Sequence, residues 1–539
     1  MPSIIRPFCY AFAVSSIMAV SSFGAACSEL SRSTCDSQGI CHYSASENYS
    51  HEAIYYPKNF RKAIEFTQPD RRPESCLALS GGGLRAAMST IGLLSYITDR
   101  GLLSRTDIIS AVSGSTWTIA SLLTQARTQR KPVAAVLSKF VDPAGPLGAG
   151  IHIENYRLPK PYIIKQYVLN ALNSSAGFRN FMSSLGHSEL FYDSDIAELA
   201  DIREDAIHLN FPFVIFGATV AIQSDSTATL GSPTPGGLRR MRLADGDVNV
   251  LDFQSDGSSL YLFQPPTLDY FDITPFSIGS PIHGYATTPE YLDLLIASTI
   301  SSAGLDTVHP EGSLGFLDNA FLGLTDLSTR YRYDDVETSF PASSIWRIHH
   351  DGKSWSNFVN GKREKGLVRG DVDFLLTDGG HADKLGIVPL LWRQCRRVVA
   401  LDMSEDPEIL YMDVARLVRR WNDQPNSDVK GKLTWQVNDV RGGVLRLCPA
   451  ADPDCHTPVT EVRLIKSFFK TCEDANVSKD VQMKFLCSFF DGADRANFPH
   501  DAVGMLSYDS DRTKAYITLG RSLAAHNAQS FDWMVDKVK

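Results

Sequence analysis

The sequence predicts an α/β fold with a mainly parallel central sheet, helices on both faces and an inserted cap. Three short apolar runs carry this prediction, because each ends in a glycine-containing turn before a new segment with helical periodicity. They are residues 76–79, 107–112 and 371–378. Strands that alternate with helices are typical of parallel sheets, since parallel strands need long crossover connections.

The first of these strands ends in a run of three glycines. Ser80-Gly81-Gly82-Gly83 follows residues 76–79, and a helix is predicted from Leu84. Glycines leave the backbone N–H groups uncovered at the helix N-terminus, which is a favourable place for negative charge. The turn lacks the G-x-G-x-x-G and Gly-Lys-Ser/Thr patterns, so nucleotide binding is the weaker interpretation.

The second strand ends in a serine turn. Residues 107–112 lead into Ser113-Gly114-Ser115, and a helix follows from Thr116. A serine at a sharp strand-to-helix turn is the setting of a nucleophile elbow. Ser-Gly-Ser is also common in ordinary loops, so either turn alone is weak evidence.

Together, the two turns resemble a known family. Ser80-Gly81-Gly82-Gly83-Leu84-Arg85-Ala86 and Ser113-Gly114-Ser115-Thr116-Trp117 closely resemble the catalytic core of cytosolic phospholipase A(2) and the fungal lysophospholipases (phospholipase B), relatives of the patatins. A third segment, Tyr270-Phe271-Asp272-Ile273-Thr274-Pro275-Phe276-Ser277-Ile278-Gly279-Ser280, resembles the Phe-Glu-Phe-Thr-Pro-Tyr-Glu-x-Gly-Ser segment of this family. The resemblance implies a patatin-like fold and a serine acyl hydrolase.

The third strand brings an aspartate to a glycine turn, Asp378-Gly379-Gly380. Most Asp-Gly pairs are simple turns or helix caps. This one follows a buried strand and resembles the Asp-Gly-Gly turn of patatin-like lipases, so Asp378 is the candidate general base. A solvated aspartate, with a pKa of ~3.9, is a weak base, so the mechanism requires Asp378 to lie in a partly dry cleft.

The resemblance gives each candidate residue a role. Ser113 is the nucleophile of a Ser–Asp dyad with Asp378, and the N–H groups of Gly82 and Gly83 form an oxyanion hole. Each such donor is typically worth ~100- to 1000-fold in rate. Arg85 binds the substrate phosphate through its fork of donors. Ser115 lies past the turn and is interpreted as a helix cap.

The predicted substrate is a phospholipid or lysophospholipid, met at a membrane surface by the aromatic cap. No cofactor and no metal ion are expected. The alternative enzyme is a Ser–His–Asp esterase that uses His381, His349 or His350. Acyl transfer through the same acyl-enzyme and a catalytically inactive lipid-binding protein also remain open.

The composition limits the possible partners, and the first residues predict the cellular location. The net charge of −9 argues against nucleic acid as a partner, and a 43% hydrophobic content is enough for one large core or two modest ones. Residues 1–26 resemble a cleaved signal peptide, which predicts export to the cell envelope or the medium. Lipidation at Cys27 is a minority alternative. Residues 27–72 are interpreted as an arm and 73–539 as the catalytic domain, with the cap inserted at about 130–345.

The cysteines fit an exported protein. Two clusters, one near each end of the chain, predict local disulfides. Cys76 and Cys395 each lie beside an apolar strand and are expected to be small buried side chains without a disulfide.

Overall fold

The computed structural model describes parts of the chain from residue 33 to residue 536. The described residues are 33–35, 40–44, 53–57, 73–153, 185–192, 195–199, 201–202, 209, 211–225, 240–243, 246–249, 270–280, 284–288, 292–302, 346–350, 357–359, 362–364, 372–406, 409–422, 431–439, 442–452, 454–467, 481–490, 498–501 and 505–536. The predicted signal peptide and Cys27 lie outside this set, and export stays a prediction.

The strands and helices of the described chain are as follows. The strands are β1 (Ser33–Cys35), β2 (Ile40–Ser44), β3 (Ala53–Pro57), β4 (Ser75–Leu79), β5 (Ile108–Val112), β6 (Gly150–His152), β7 (Phe213–Asp225), β8 (Arg240–Leu243), β9 (Gly246–Asn249), β10 (Tyr270–Ile273), β11 (Ser277–Ser280), β12 (Gly284–Thr287), β13 (Trp346–His350), β14 (Asn357–Val359), β15 (Lys362–Glu364), β16 (Val372–Asp378), β17 (Arg397–Asp402), β18 (Lys432–Asp439), β19 (Gly442–Cys448), β20 (Thr460–Lys466) and β21 (Ser507–Asp509). The helices are α1 (Gly83–Asp99), α2 (Gly114–Thr128), α3 (Val133–Val141), α4 (Leu294–Ser301), α5 (Gly380–Asp383), α6 (Val388–Trp392), α7 (Met412–Asn422), α8 (Val481–Phe490), α9 (Ser510–His526) and α10 (Ala528–Val535), with a 3-10 turn at Leu103–Arg105.

A 12-stranded mixed sheet forms the centre of the molecule, in the order β12-β11-β10-β7-β5-β4-β17-β20-β19-β18, with β16 on β7 and β13 on β16. The five strands from β7 to β20 are parallel neighbours. Antiparallel strands extend the sheet on both sides. The predicted α/β fold with a mainly parallel centre is confirmed.

Helices cover both faces of this sheet. Along β4, Leu77 and Leu79 face one hydrophobic cluster, whereas Cys76 and Ala78 face the other. Helices α1, α2, α9 and α10 contribute to the first cluster, and α6 and α7 contribute to the second. Because the strand side chains alternate between two apolar layers, the parallel strands are buried on both sides, as their continuous apolar sequences predicted.

Strands β5 and β16 approach each other end to end along the same side of β7. Strand β5 is parallel to β7 and its last residue, Val112, pairs with Gly217. Strand β16 is antiparallel to β7 and its last residue, Asp378, pairs with Ala218. The carboxyl ends of the two strands therefore meet at adjacent positions on one neighbour.

Part of the range assigned to the cap belongs to the sheet. The sequence predicted one strand there, and β7 confirms it, but β10, β11 and β12 extend the same sheet and α4 packs on α2. Most of the remaining range lies outside the described residues, and the cap stays a prediction. In the predicted arm, β1, β2 and β3 form a small antiparallel sheet.

The structure corrects the prediction for Cys76 and Cys395, which form a disulfide across a sequence separation of 319 residues. Cys395 lies just before β17, the parallel neighbour of β4, so tertiary pairing brings together two cysteines that the sequence leaves far apart. Cys448 and Cys455 form the local disulfide expected of their cluster. Cys487 is also disulfide-bonded.

We expect the Cys76–Cys395 disulfide to stabilise the fold more than the Cys448–Cys455 disulfide does. A cross-link removes more chain entropy from the unfolded state when it closes a longer loop, which corresponds to about 6 kcal/mol for Cys76–Cys395 against about 2 kcal/mol for Cys448–Cys455. Double replacement by serine at each pair, followed by denaturant unfolding under oxidising conditions, measures the difference. Equal losses of unfolding free energy would contradict this expectation.

Candidate active site

Ser113 lies at a strained turn between β5 and α2. Its backbone has φ 51° and ψ −129°, a conformation that is rare for a residue with a side chain. The next residue must be glycine, because a Cβ on Gly114 would lie 1.9 Å from the carbonyl oxygen of Gly83. The serine turn and the glycine turn thus touch through their main chains.

The structure brings Ser113 and Asp378 together across 265 residues of sequence. The Ser113 hydroxyl donates to Oδ2 of Asp378 at 3.1 Å, and both residues are 7% exposed. The Gly380 N–H donates to the other oxygen, Oδ1, at 2.6 Å. The Asp378 carbonyl accepts the Thr219 hydroxyl at 2.7 Å. The carboxylate is therefore held on one oxygen and presents the other to the serine.

The glycine turn lies directly beside this pair. A Cβ on Gly81 would be 3.0 Å from Cβ of Ser113, so the two segments are in van der Waals contact. Gly82 and Gly83 have φ values of 153° and 59°, and Gly83 begins α1. The first N–H groups of a helix have no partner within it. Within the described chain, the amides of Gly82 and Gly83 donate to no protein acceptor.

Arg85 is buried, at 1% exposure, rather than on the surface. Its Nη1 donates to the carbonyl oxygen of Asp501 at 2.5 Å, while Nε and Nη2 have no hydrogen-bond partner among the described residues. Burial, and then the charge of Arg85, lower the pKa of nearby His500 to about 4, so this imidazole is neutral at neutral pH. The phosphate-binding role of Arg85 stays a prediction.

Ser301 is a site residue that the sequence reasoning missed. Its hydroxyl accepts the Ser113 N–H at 3.0 Å and donates to the carbonyl oxygen of Gly217. Its own carbonyl accepts the Gly379 N–H at 3.1 Å. One serine at the end of α4 therefore joins the Ser113 turn, β7 and the aspartate turn. The available sequence signal was a helix ending in the small residues Ser301-Ser302-Ala303-Gly304, which weakly resembles a small-residue helix of the family and which helix packing explains equally well.

Ser115 does not cap α2, which corrects its predicted role. Its hydroxyl donates to the carbonyl oxygen of Ser80 at 2.6 Å and lies 3.0 Å from the hydroxyl of Thr90. The side chain points back to the glycine turn because α1 and α2 pack side by side. Ser115 thus positions the glycine turn relative to Ser113.

A buried ion pair supports the glycine turn from the other side. Lys466, at the end of β20, lies 2.8 Å from Asp402, at the end of β17, and both are 1% exposed. Burial alone would raise the pKa of Asp402, but the charge of Lys466 holds it below its usual value. Two positions after Asp402, Ser404 donates to the same carboxylate, and the intervening Met403 N–H donates to the Ser80 hydroxyl at 2.6 Å.

The structure describes only the backbone of the three histidines of the alternative triad. His349 and His350 lie in β13 and His381 lies in α5, but their side chains are outside the described part of the structure. Burial raises the pKa of Asp383, at the end of α5, to about 7, and this carboxyl accepts the Val388 N–H at 2.6 Å. Among the described residues, no group of three or more His, Cys, Asp or Glu could hold a metal ion.

Comparison with known proteins gives local sequence matches to one kind of enzyme. The chain is 34% identical over 94 residues to cytosolic phospholipase A2 gamma of Mus musculus, and 44% identical over 57 residues to that of Homo sapiens. These matches span 15% and 10% of the relatives and 16% and 11% of this chain. No protein-family model matches. The sequence matches confirm, for a segment of the chain, the resemblance that the motifs indicated.

Solved structures of a related human enzyme are also similar to this chain. Human GIVD cytosolic phospholipase A2 has a TM-score of 0.47 at 13% identity, over 89% of this chain and 63% of that chain. Its complex with methyl gamma-linolenyl fluorophosphonate has a TM-score of 0.39 at 12% identity, over 89% of this chain and 62% of that chain. This chain thus spans somewhat less than two thirds of the solved enzyme.

Replacement of Ser301 by alanine is expected to reduce turnover by about 10- to 100-fold, because the Ser113 N–H loses a buried acceptor. Any hydrolysis that depends on Ser113 serves for the measurement, with kcat falling and KM little changed. Ser302→Ala is the matched control, since Ser302 accepts from the Trp117 indole and does not contact Ser113. Equal losses of kcat in the two variants would show that Ser301 acts through stability alone.

Proposed function

We propose that this chain is a serine acyl hydrolase that cleaves fatty acyl esters of glycerophospholipids, as a phospholipase or lysophospholipase. The direct hydrogen bond from the Ser113 hydroxyl to Asp378, at 3.1 Å, carries the proposal. In this proposal Ser113 is the nucleophile and Asp378 is its base, and no histidine is required between them. The local similarity to cytosolic phospholipase A2 gamma supports the lipid class of substrate.

The reaction begins with Ser113. Oγ attacks the ester carbonyl carbon while Asp378 accepts the hydroxyl proton, and the carbonyl oxygen becomes an oxyanion. The N–H groups of Gly82 and Gly83 stabilise this charge, in the way that preorganised donors at a helix N-terminus do. When the intermediate collapses, Asp378 returns the proton to the departing alcohol oxygen, and the acyl group stays on Ser113.

Water completes the cycle. Asp378 accepts a proton from water as its oxygen attacks the acyl carbonyl, and the second oxyanion is held by the same two amides. Collapse releases the fatty acid, and the proton returns to Ser113. Asp378 acts in both halves because Gly380 fixes Oδ1 and leaves Oδ2 towards the reacting oxygen. Low exposure, 7% for Asp378, supports its use as a base by limiting competition from solvent.

Arg85 supplies the phosphate contact in this proposal. Its Nε and Nη2 carry donors without an acceptor among the described residues, and buried unpaired donors are costly. A phosphate oxygen would satisfy both through the planar fork of the guanidinium. Arg85 lies on the first turn of α1, which begins with the proposed oxyanion donors, so the helix aligns headgroup and ester.

We also propose that the protein is exported and meets its substrate at a membrane surface. The disulfides Cys76–Cys395 and Cys448–Cys455 support an oxidising compartment. Among the described helices, none is both long and apolar enough to cross a membrane.

Ser113→Ala and Asp378→Asn are each expected to reduce release of fatty acid from defined phospholipid and lysophospholipid by about 10⁴-fold or more. The first removes the nucleophile and the second removes the base. Mass spectrometry of the products gives the rate and identifies the acyl position. A fluorophosphonate probe should label wild type but not Ser113→Ala.

His381→Ala is the control for the alternative triad and should retain turnover. Loss of turnover in His381→Ala with Asp378→Asn unaffected would contradict the dyad. Circular dichroism confirms that each variant is folded. Activity that persists in Ser113→Ala would overturn the assignment of the nucleophile.

Arg85→Gln is expected to affect phospholipid hydrolysis selectively. The ratio of kcat/KM for a lysophospholipid to that for a phosphate-free aryl ester should fall by about 10- to 100-fold, because a charge-assisted bond to phosphate is lost. Both substrates are measured on one preparation, so any loss of folded protein cancels in the ratio. An unchanged ratio would show that Arg85 has a structural role only.

A further inference from the structure

We propose that a loop after β17, together with Val437 of β18, is the surface that docks on aggregated phospholipid. We call residues 409–412, Ile409-Leu410-Tyr411-Met412, the docking loop, and its last residue, Met412, is also the first residue of α7. Its occupant is the lipid surface of a bilayer or micelle, into which Leu410 and Met412 insert. The proposal rests on the proposed function, since it concerns how that active site meets its substrate.

The first observation is where the exposed apolar side chains lie. Among the described residues, the large hydrophobic side chains with high exposure are Tyr192 at 62%, Leu410 at 58%, Met412 at 50% and Val437 at 50%. Isolated exposed apolar residues are ordinary. Two of these, however, belong to one loop of four residues, and Trp435, two positions before Val437, packs on Tyr411 with ring centroids 5.4 Å apart.

The second observation is that the loop is held rigidly in an unusual conformation. Ile409 and Tyr411 both have φ 53°, although neither is glycine. Such strain persists where surrounding structure fixes the backbone, and it is concentrated at functional sites. Between them, Leu410 is turned outwards while Tyr411 is buried at 7% exposure.

The groups that fix the loop are buried charges. Oδ1 and Oδ2 of Asp406 accept the N–H groups of Leu410 and Tyr411 at 2.9 Å and 3.0 Å. Asp406 is itself paired with Lys466 at 2.9 Å. The same lysine pairs with Asp402, which supports the glycine turn. The docking loop and the proposed oxyanion hole are therefore anchored on one buried ammonium group.

The third observation places the loop beside the active site. Asp413, the residue after Met412, lies 3.7 Å from Nζ of Lys384. The carbonyl oxygen of Lys384 accepts the Gly81 N–H at 2.8 Å. A single lysine thus bridges the docking loop and the glycine turn next to Ser113.

Val437 lies at the same edge of the sheet. It pairs with Gly443, which pairs with Leu464, two residues before the end of β20. Strands β5, β4, β17 and β20 all end at this edge, and Ser113 follows the first of them. Val437, the docking loop and Ser113 therefore all lie towards the carboxyl ends of the parallel strands, with four strands between β5 and β18.

A lipid surface is the occupant that this chemistry favours. The side chains of Leu410 and Met412 carry no charge and no hydrogen-bond donor, so they can enter hydrocarbon without leaving such a group unsatisfied. A net charge of −9 opposes attraction to anionic headgroups, which leaves apolar insertion as the favourable contact. A preformed loop loses little conformational freedom when it inserts. Substrate acyl chains also come from that same surface.

The test compares a Leu410→Ser/Met412→Ser double variant with Tyr192→Ser. Tyr192 is the matched control, because it is similarly exposed but lies away from the Ser113 turn. It follows Leu190, whose carbonyl oxygen accepts from Gln125, a residue of α2 that lies three helical turns beyond Ser113. Binding to phosphatidylcholine vesicles is measured by sedimentation in a Ser113→Ala background, so that vesicles are not consumed. Hydrolysis is measured on the same vesicles and on a short-chain phosphatidylcholine below its micelle concentration.

We expect the double variant to bind vesicles at least ~10-fold more weakly and to hydrolyse them correspondingly slowly, because two apolar side chains no longer insert. Hydrolysis of monomeric substrate should be unchanged, and Tyr192→Ser should match wild type in both assays. Unchanged vesicle binding in the double variant overturns the proposal. So does an equal loss in Tyr192→Ser, or a loss of self-association alone, which would identify a second copy as the occupant.

The two proposals fail in different ways. If wild type binds vesicles through the docking loop but releases no fatty acid from either substrate, the hydrolase proposal fails and the docking surface stands. If monomeric substrate is hydrolysed normally and vesicle binding ignores the docking loop, the docking surface fails and the hydrolase proposal stands.

Discussion

The site depends on one constraint, which is the end-to-end meeting of β5 and β16 on β7. Because one strand is parallel to β7 and the other antiparallel, both deliver their last residues to adjacent positions, Gly217 and Ala218. A Cβ on Gly379 would lie 2.2 Å from the Gly217 carbonyl oxygen, so the aspartate turn seats directly on this point. Ser113 and Asp378 are each only 7% exposed because of that geometry.

Around the meeting point of β5 and β16, buried polar side chains fix the positions of the Ser113 turn and the glycine turn. Ser301 connects the Ser113 turn to β7, and Ser115 connects α2 to the glycine turn. On the far side, Lys466 neutralises Asp402, and the chain after it bonds the Ser80 hydroxyl. The three glycines of the turn have no side chains, so its geometry is set by hydrogen bonds that join Ser80 and Gly81 to three neighbouring segments.

The sequence predicted the features that depend on a few consecutive residues. Ser113 and Asp378 each follow an apolar run and precede a glycine, so each could be recognised from a few residues, and the α/β class followed from repeating such units. Features that depend on which strands become neighbours were missed. Cys76 and Cys395 lie 319 residues apart, and Ser301 reaches Ser113 across 188. Ser115 was assigned a cap because its partner, Ser80, belongs to a different strand-turn-helix unit.

The contact between Gly114 and Gly83 is made of main chain on both sides. A Cβ at Gly114 would approach the Gly83 carbonyl oxygen to 1.9 Å, so no side chain lies between the Ser113 turn and the glycine turn at this contact. Their separation is therefore not adjustable by changing one side chain for another. Substitutions elsewhere can change the surroundings of these two turns, but the distance between Ser113 and the amides of Gly82 and Gly83 is set by the backbone.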